Sequence, residues 1–382
     1  MERKQLQKKL IKLCISHRDK MRHKFVFIRN SLIILTILLR FCPNALSQTT
    51  VVDSNVIIKL RDGVQISGSL IPPRSGYPLV VLSSPPLTPN RNLPSRRTPA
   101  GIFKSLAYDL AERGYGVFWF DNRGMAKSTG TTDSVTLYSQ AQDLLDILKF
   151  HKSKRPTAKI GLLGISEGGA SAEVAAAGSE DVSFLVLLSV QATSGYEFFQ
   201  YQTKMMFLER GKMFGNAKLI DSLYQRYDRI SKPLYKVLEQ SEDLDSLKVQ
   251  FDRELDVQIQ NIEPAISQGH KENEKMMFNV WLSPQQLALR KFQPQRYLSK
   301  IRQPILALCG DHDDQVQCDS NLNAIRNILE NSGHTSFSIE KLPNVDHNYR
   351  TLTGALQDLA FDNERFSAVA LDKIVAWLEQ IK

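Results

Sequence analysis

Several things are missing from this chain, and each absence narrows its function. Its seven histidines show no spacing with other ligand types that would suit a metal, so a metal centre has no support. No internal repeat and no long low-complexity segment occurs, which excludes a repeat architecture. The apolar run Ser31 to Leu39 spans nine residues, too short to cross a bilayer comfortably. An excess of one charge is absent from most of the chain. The formal +9 comes from residues 1–47, where eleven lysines and arginines face only Glu2 and Asp19. The remaining residues balance at 38 basic and 38 acidic, so nucleic-acid binding loses its electrostatic basis.

What is present begins with an export signal. A basic stretch, the run Ser31 to Leu39 and then Ala45-Leu46-Ser47 predict cleavage before Gln48, with small residues at positions −3 and −1. Met21 opens a segment of more ordinary signal-peptide length and is the expected translation start. An uncleaved anchor is the alternative, since Phe25 to Ile28 extends the apolar stretch. Cys14 and Cys42 fall in this leader, and Arg40-Phe41 before Cys42 lacks the small residues of a lipid-anchor signal. The expected setting is therefore periplasmic or secreted, with no stable membrane span after cleavage. There Cys309 and Cys318 would close a short disulfide loop; two buried thiols are the alternative.

From Val56 onward strand-like and helix-like segments alternate, which predicts an α/β fold with a mostly parallel sheet between helical layers. Val56–Leu60 and Val64–Ile71, separated by Arg61-Asp62-Gly63, predict an antiparallel hairpin. Further strands are expected at Pro78–Ser84, Tyr115–Phe120, Lys159–Leu163, Ser183–Ser189, Pro304–Leu308 and Ser336–Leu342. Helices are expected at Gly101–Arg113, about 134–151, Gly168–Ala177 and about 364–381. Residues 48–191 and 300–382 form the expected core. Residues 192–299 break the rhythm and predict a helical cap insertion over one end of the sheet. Its Met205, Met206, Met213, Met276 and Met277, with Tyr196, Phe198, Phe199, Phe207 and Phe214, are candidates for an apolar pocket lining or for the insertion's own core.

Gly164-Ile165-Ser166-Glu167-Gly168 follows a predicted strand and precedes a predicted helix. That is the context of a nucleophile elbow, where a sharp turn needs small residues two positions either side of the serine. The helix aims its N-terminus at Ser166, and the Glu167 backbone N–H can donate to a developing oxyanion. A serine hydroxyl requires a base and the base an orienting acid, in the order Ser, Asp or Glu, His on such a fold. Asp313, in the acidic segment Gly310 to Val316, is assigned as the acid and His347 as the base; Asp311 and Asp314 are rivals for the acid. His312, His334 and Asp346 are read as bystanders.

These stretches, together with Arg113-Gly114-Tyr115, Phe120 to Gly124 and Lys127 to Gly130, resemble the esterase-D type of bacterial α/β-hydrolases, relatives of the serine aminopeptidase-like hydrolases. The resemblance runs from about Val56 to Lys382. It implies an α/β-hydrolase fold, a Ser-Asp-His triad and hydrolysis of a small or medium carboxylic ester without a cofactor. Asp121 and Arg123 are expected to hold the loop after their strand. One departure concerns the oxyanion hole. Aligned on Arg91, Ser84-Pro85 stands where similar proteins have His-Gly, and Pro86 falls at the second donor, where it offers no N–H. Leu87 or the Ser84 hydroxyl is the candidate replacement. A peptidase or amidase using the same triad is the first alternative, although no amine-binding carboxylate is evident in the sequence. A hydrolase scaffold with impaired catalysis that binds a ligand is the second.

Overall fold

The computed structural model describes residues 53–94, 101–240, 243–263, 267–353, 360–361 and 365–381; the expected signal segment lies outside them. The chain opens with β1 (Ser54–Lys59) and β2 (Gln65–Ile71), paired antiparallel from Ser54↔Leu70 to Lys59↔Gln65 around the turn at Gly63. This is the hairpin that the alternation around Arg61-Asp62-Gly63 predicts. There follow β3 (Leu79–Ser83), α1 (Ile102–Glu112), β4 (Gly116–Phe120), α2 (Leu137–Lys154), β5 (Ile160–Ile165), α3 (Glu167–Ala177) and β6 (Leu185–Leu188). After an all-helical stretch the sheet resumes with β7 (Ile305–His312), α10 (Cys318–Asn331) and β8 (Phe337–Asp346). The fold closes with the short pair β9 (Leu352–Thr353) and β10 (Ala360–Phe361), then α11 (Ala368–Gln380).

The eight-stranded sheet has the order β1-β2-β4-β3-β5-β6-β7-β8. β1 and β2 run antiparallel to their neighbours, and β4, β3, β5, β6, β7 and β8 are mutually parallel. The central strands are buried on both faces, which explains their unbroken apolar composition. The strand period of two sends Leu79 and Val81 into one core with α2 and α3, and Val80 and Leu82 into the other with α1 and α11. Helix α2 starts on a capping box between Thr136 and Ser139 and ends among Lys152 and Lys154, where positive charge suits the helix dipole.

Between β6 and β7 the chain forms α4 (Gly195–Phe214), α5 (Ala217–Gln240), α6 (Leu244–Ile262), α7 (Gln268–Asn279), a 3-10 turn (Val280–Leu282), α8 (Pro284–Arg290) and α9 (Gln295–Leu298), with no strand among the described residues there. Tyr227 stacks on Phe278 at 5.5 Å between centroids, and Tyr235 lies 4.9 Å from Trp281. Leu234, Phe251 and Leu255 complete this interior.

Two expectations need correction. The acidic segment after Leu308 is not wholly a loop, because β7 runs on to His312 alongside an equally extended β8, with a bulge between Gly310 and His312. Pro343 is tolerated inside β8 because β8 is the edge strand. The helix α10, with Leu322, Ile325 and Leu329 buried on one face, was not predicted at all.

Candidate active site

Ser166 sits between β5 and α3 with φ 53° and ψ −127°, a conformation costly for a residue with a Cβ. The turn survives because its surroundings admit no side chains. A Cβ on Gly168 would come within 2.2 Å of the Ser83 carbonyl oxygen, and one on Gly164 within 2.5 Å of the Gly169 Cα. Ser166 makes no side-chain capping bond to α3, although it occupies the N-cap position. Its backbone N–H donates to the Leu188 carbonyl at 2.9 Å, tying the elbow to β6. Glu167 is the first residue of α3, so its N–H has no partner within the helix.

His347 follows directly on the end of β8. Its Nδ1 lies 2.9 Å from both carboxylate oxygens of Asp313, and both side chains are buried. Asp313 Oδ1 also accepts the backbone N–H groups of Gln315 and Val316, at 2.9 and 2.8 Å. Burial alone would push this carboxyl up, but the charge and hydrogen bond of His347, with bonds from Ser189 and Val316, hold it below the usual range. Burial would likewise depress the imidazole. The Asp313 charge and hydrogen bond, helped by Asp314 and Asp346, raise it instead above its ordinary 6.5.

Neither rival for the acid holds the imidazole. Asp311 pairs with His312 at 2.7 Å, and no hydrogen bond joins Asp314 to His347. His334 is buried and binds the Gln303 carbonyl, well separated in role from the site. Asp346 has a task that sequence reasoning missed. It pairs with buried Arg350 and accepts its backbone N–H, closing the tight turn that carries His347.

A cavity of about 410 Å³ has Ser166, Glu167 and His347 in its wall, with Pro85, Ala170, Gln191, Phe198, Phe199, Gln202, Thr203, Gln286, Leu289, Arg290, Gln315 and Asn348. Phe198 and Phe199 line it as the sequence allowed. None of the methionines does, among the described residues: Met206, Met276 and Met277 are exposed, while the side chains of Met213 and Phe214 lie outside the description. Tyr196 and Phe207 pack into the helical layer itself, against Tyr235 and Tyr227. The wall is richer in amides and less apolar than the methionine content suggests, because helices α4 and α8 turn Gln202, Gln286 and Arg290 toward it.

Glu167 contributes more than its backbone. Its carboxyl is buried, accepts one bond from Gln285 Nε2 at 2.9 Å and leaves Oε1 without a partner. Burial raises it from 4.5 to about 7, against the opposing effect of the Gln285 bond. Neither candidate for the second oxyanion donor lies in the cavity wall. Ser84 is buried, with its Oγ accepting from Asn122, and Leu87 is exposed. The loop is instead pinned from behind: Asn122 Nδ2 donates to the Pro85 carbonyl, Gln140 Nε2 to the Ser84 carbonyl and to Asn122 Oδ1, and Ser171 to Gln140. Asp121 holds Arg91 by its backbone N–H and guanidinium, and Arg123 pairs with Asp143 and Asp62, matching their expected structural roles.

Cys309 and Cys318 form a disulfide, with Cα atoms 5.6 Å apart. Cys309 Sγ lies 3.8 Å from Asp313 Oδ2, so the bridge borders the acid. These three residues also form the tightest cluster of metal-ligand types among the described residues, but both sulfurs are committed to the bond.

Residues 97–233 match the family described as serine aminopeptidase, S33. No curated protein matches the chain. Among solved structures, DcsB in complex with its substrate analogue is similar with a TM-score of 0.50 and 15% identity, covering 87% of this chain and 100% of that one. Proline iminopeptidase from Mycobacterium smegmatis is similar with a TM-score of 0.50 and 11% identity, over 86% and 98%. With its sheet order, its strand-elbow-helix and these likenesses, the chain has the α/β-hydrolase fold, and its residues 97–233 match the serine aminopeptidase family.

Proposed function

We propose that the protein is a serine hydrolase that cleaves a carboxylic ester through an acyl-enzyme. The observation carrying this reading is that His347, paired with Asp313, and the strained Ser166 border one cavity. With Nδ1 committed to Asp313, Nε2 of His347 takes the Ser166 hydroxyl proton as Oγ bonds to the ester carbonyl carbon. The Glu167 N–H and the N-terminus of α3 stabilise the oxyanion. The carbon–alkoxide bond then breaks, and the imidazolium returns its proton to the leaving alcohol. A water deprotonated by His347 releases the acid and restores Ser166. Pro86, at the position expected for the second donor, supplies no N–H, and a hole lacking one donor typically loses about 10² to 10³ in rate, so turnover is expected to be modest.

Export belongs to the same proposal. The Cys309–Cys318 bridge supports it, since such bonds persist in oxidising compartments.

Hydrolysis of p-nitrophenyl butyrate by the wild type, Ser166→Ala and His347→Ala tests the chemistry. Each variant should lose about 10⁴-fold or more in kcat. The wild-type rate should fall on the acid side with a midpoint above 6.5, because the base must be neutral and its pKa is raised. Wild-type turnover by Ser166→Ala would overturn the reading.

A further inference from the structure

Arg290, the last residue of α8, stands in the cavity wall and is 9% exposed. Its guanidinium carbon lies 4.0 Å from the ring centroid of Phe199 and 4.4 Å from that of Trp281. Nη1 donates to Gln286 one turn earlier, and the Tyr227 hydroxyl is a further hydrogen-bonding neighbour. Nε is buried and has no partner. No carboxylate pairs with this cation among the described residues. The contrast with the other sequestered arginines is sharp: Arg91 pairs with Asp121, Arg123 with Asp143, and Arg350 with Asp346.

A buried cation without a counter-ion is strongly unfavourable, and two aromatic faces offset only part of that cost. Burial lowers its pKa, yet a guanidinium remains charged at any physiological pH. The rest of the wall does not neutralise it. Gln191, Gln202, Thr203, Gln286, Gln315 and Asn348 are uncharged. Glu167, the acid in the wall, is about half protonated near neutral pH. The cavity wall therefore carries a guanidinium with no counter-ion and an unsatisfied N–H.

We propose that the substrate is an ester bearing a carboxylate, which the Arg290 guanidinium binds while Ser166 attacks the ester carbonyl. This deepens the ester-hydrolase reading and rests on it. A carboxylate offers two coplanar acceptors to a planar donor edge, the geometry in which an arginine pair is strongest. An aminoacyl substrate would instead bring an ammonium group toward Arg290, so the charge of the wall speaks against aminopeptidase specificity.

The test compares a neutral and an anionic ester, p-nitrophenyl butyrate and mono-p-nitrophenyl glutarate, with wild type, Arg290→Gln and Arg290→Lys. In parallel, glutarate binding to Ser166→Ala protein is measured by calorimetry with and without Arg290→Gln. The wild type should prefer the glutarate ester in kcat/KM. Arg290→Gln should reduce that preference by about 10- to 100-fold, mainly through KM, as expected for one charge-assisted pair. Arg290→Lys should restore part of it, and glutarate should bind Ser166→Ala only when Arg290 is present. A merely structural arginine would lower both rates together and leave the preference intact, which overturns the proposal. Absence of glutarate binding to Ser166→Ala overturns it as well. If neither ester is turned over while Arg290-dependent glutarate binding persists, the hydrolase reading fails and the anion site stands.

Discussion

Glu167 is the residue where the site's chemistry and its stability meet. It follows the nucleophile, so α3 must present its N–H, and the same geometry draws its carboxyl into the cavity wall with one amide for company. Its folded-state pKa of about 7 lies above the ordinary 4.5, so the native state binds the proton more tightly than the unfolded chain does. Stability is thus fully retained below pH 4.5 and is lost progressively as pH rises toward 7. Glu167→Gln keeps an acceptor for Gln285 and removes the titration. Its stability relative to the wild type should improve by about 3 kcal/mol between pH 4.5 and pH 8, read from urea unfolding at both pH values. Parallel pH curves for the two proteins would contradict this account. Ser166, Asp313 and His347 were legible in the sequence because each lies beside a strand end with a recognisable motif. Arg290 was not, since nothing in Pro284 to Lys291 signals that one helical turn faces the cavity. The lack of its counter-ion is visible only when elements distant in sequence are brought together.

At the level of elements, the bridge between Cys309 on β7 and Cys318 at the start of α10 encloses the segment that carries Asp313. A closed loop of this size is worth about 2–3 kcal/mol in the chain-entropy model. Exported protein should have the mass of a chain starting at Gln48, gain two protons on reduction, and lose stability of that order. A full complement of free thiols in the exported protein would contradict it. Continuous apolar runs located the parallel strands well, because these strands are buried on both faces. It failed past Leu308 and Leu342. There polar side chains and a glycine continue along β7 and edge strand β8, whose pairing rather than their own hydrophobicity keeps them extended. Helix α10 was overlooked for a related reason. Its buried stripe of Leu322, Ile325 and Leu329 is narrow, and polar residues at the other positions hide the period.

For the molecule as a whole, the mostly parallel sheet and the elbow were foreseeable, whereas the character of the cavity was not. Helices α4 and α8 come from opposite ends of the stretch between β6 and β7, and together they set amides and a cation over the serine. A methionine count could not reveal this, because Met276 and Met277 point to solvent and the aromatic residues divide between the cavity and the helical interior. On the proposed function, the polar lining and the proline at the expected oxyanion donor make for a selective and slow hydrolase, a reading that depends on Ser166 being an activated nucleophile. That claim is tested most directly by treating folded protein with a fluorophosphonate and mapping the adduct by peptide mass spectrometry. The account predicts a single modification on Ser166 that is lost in His347→Ala. Folded wild-type protein that stays unlabelled, or carries the adduct on another residue, would contradict it.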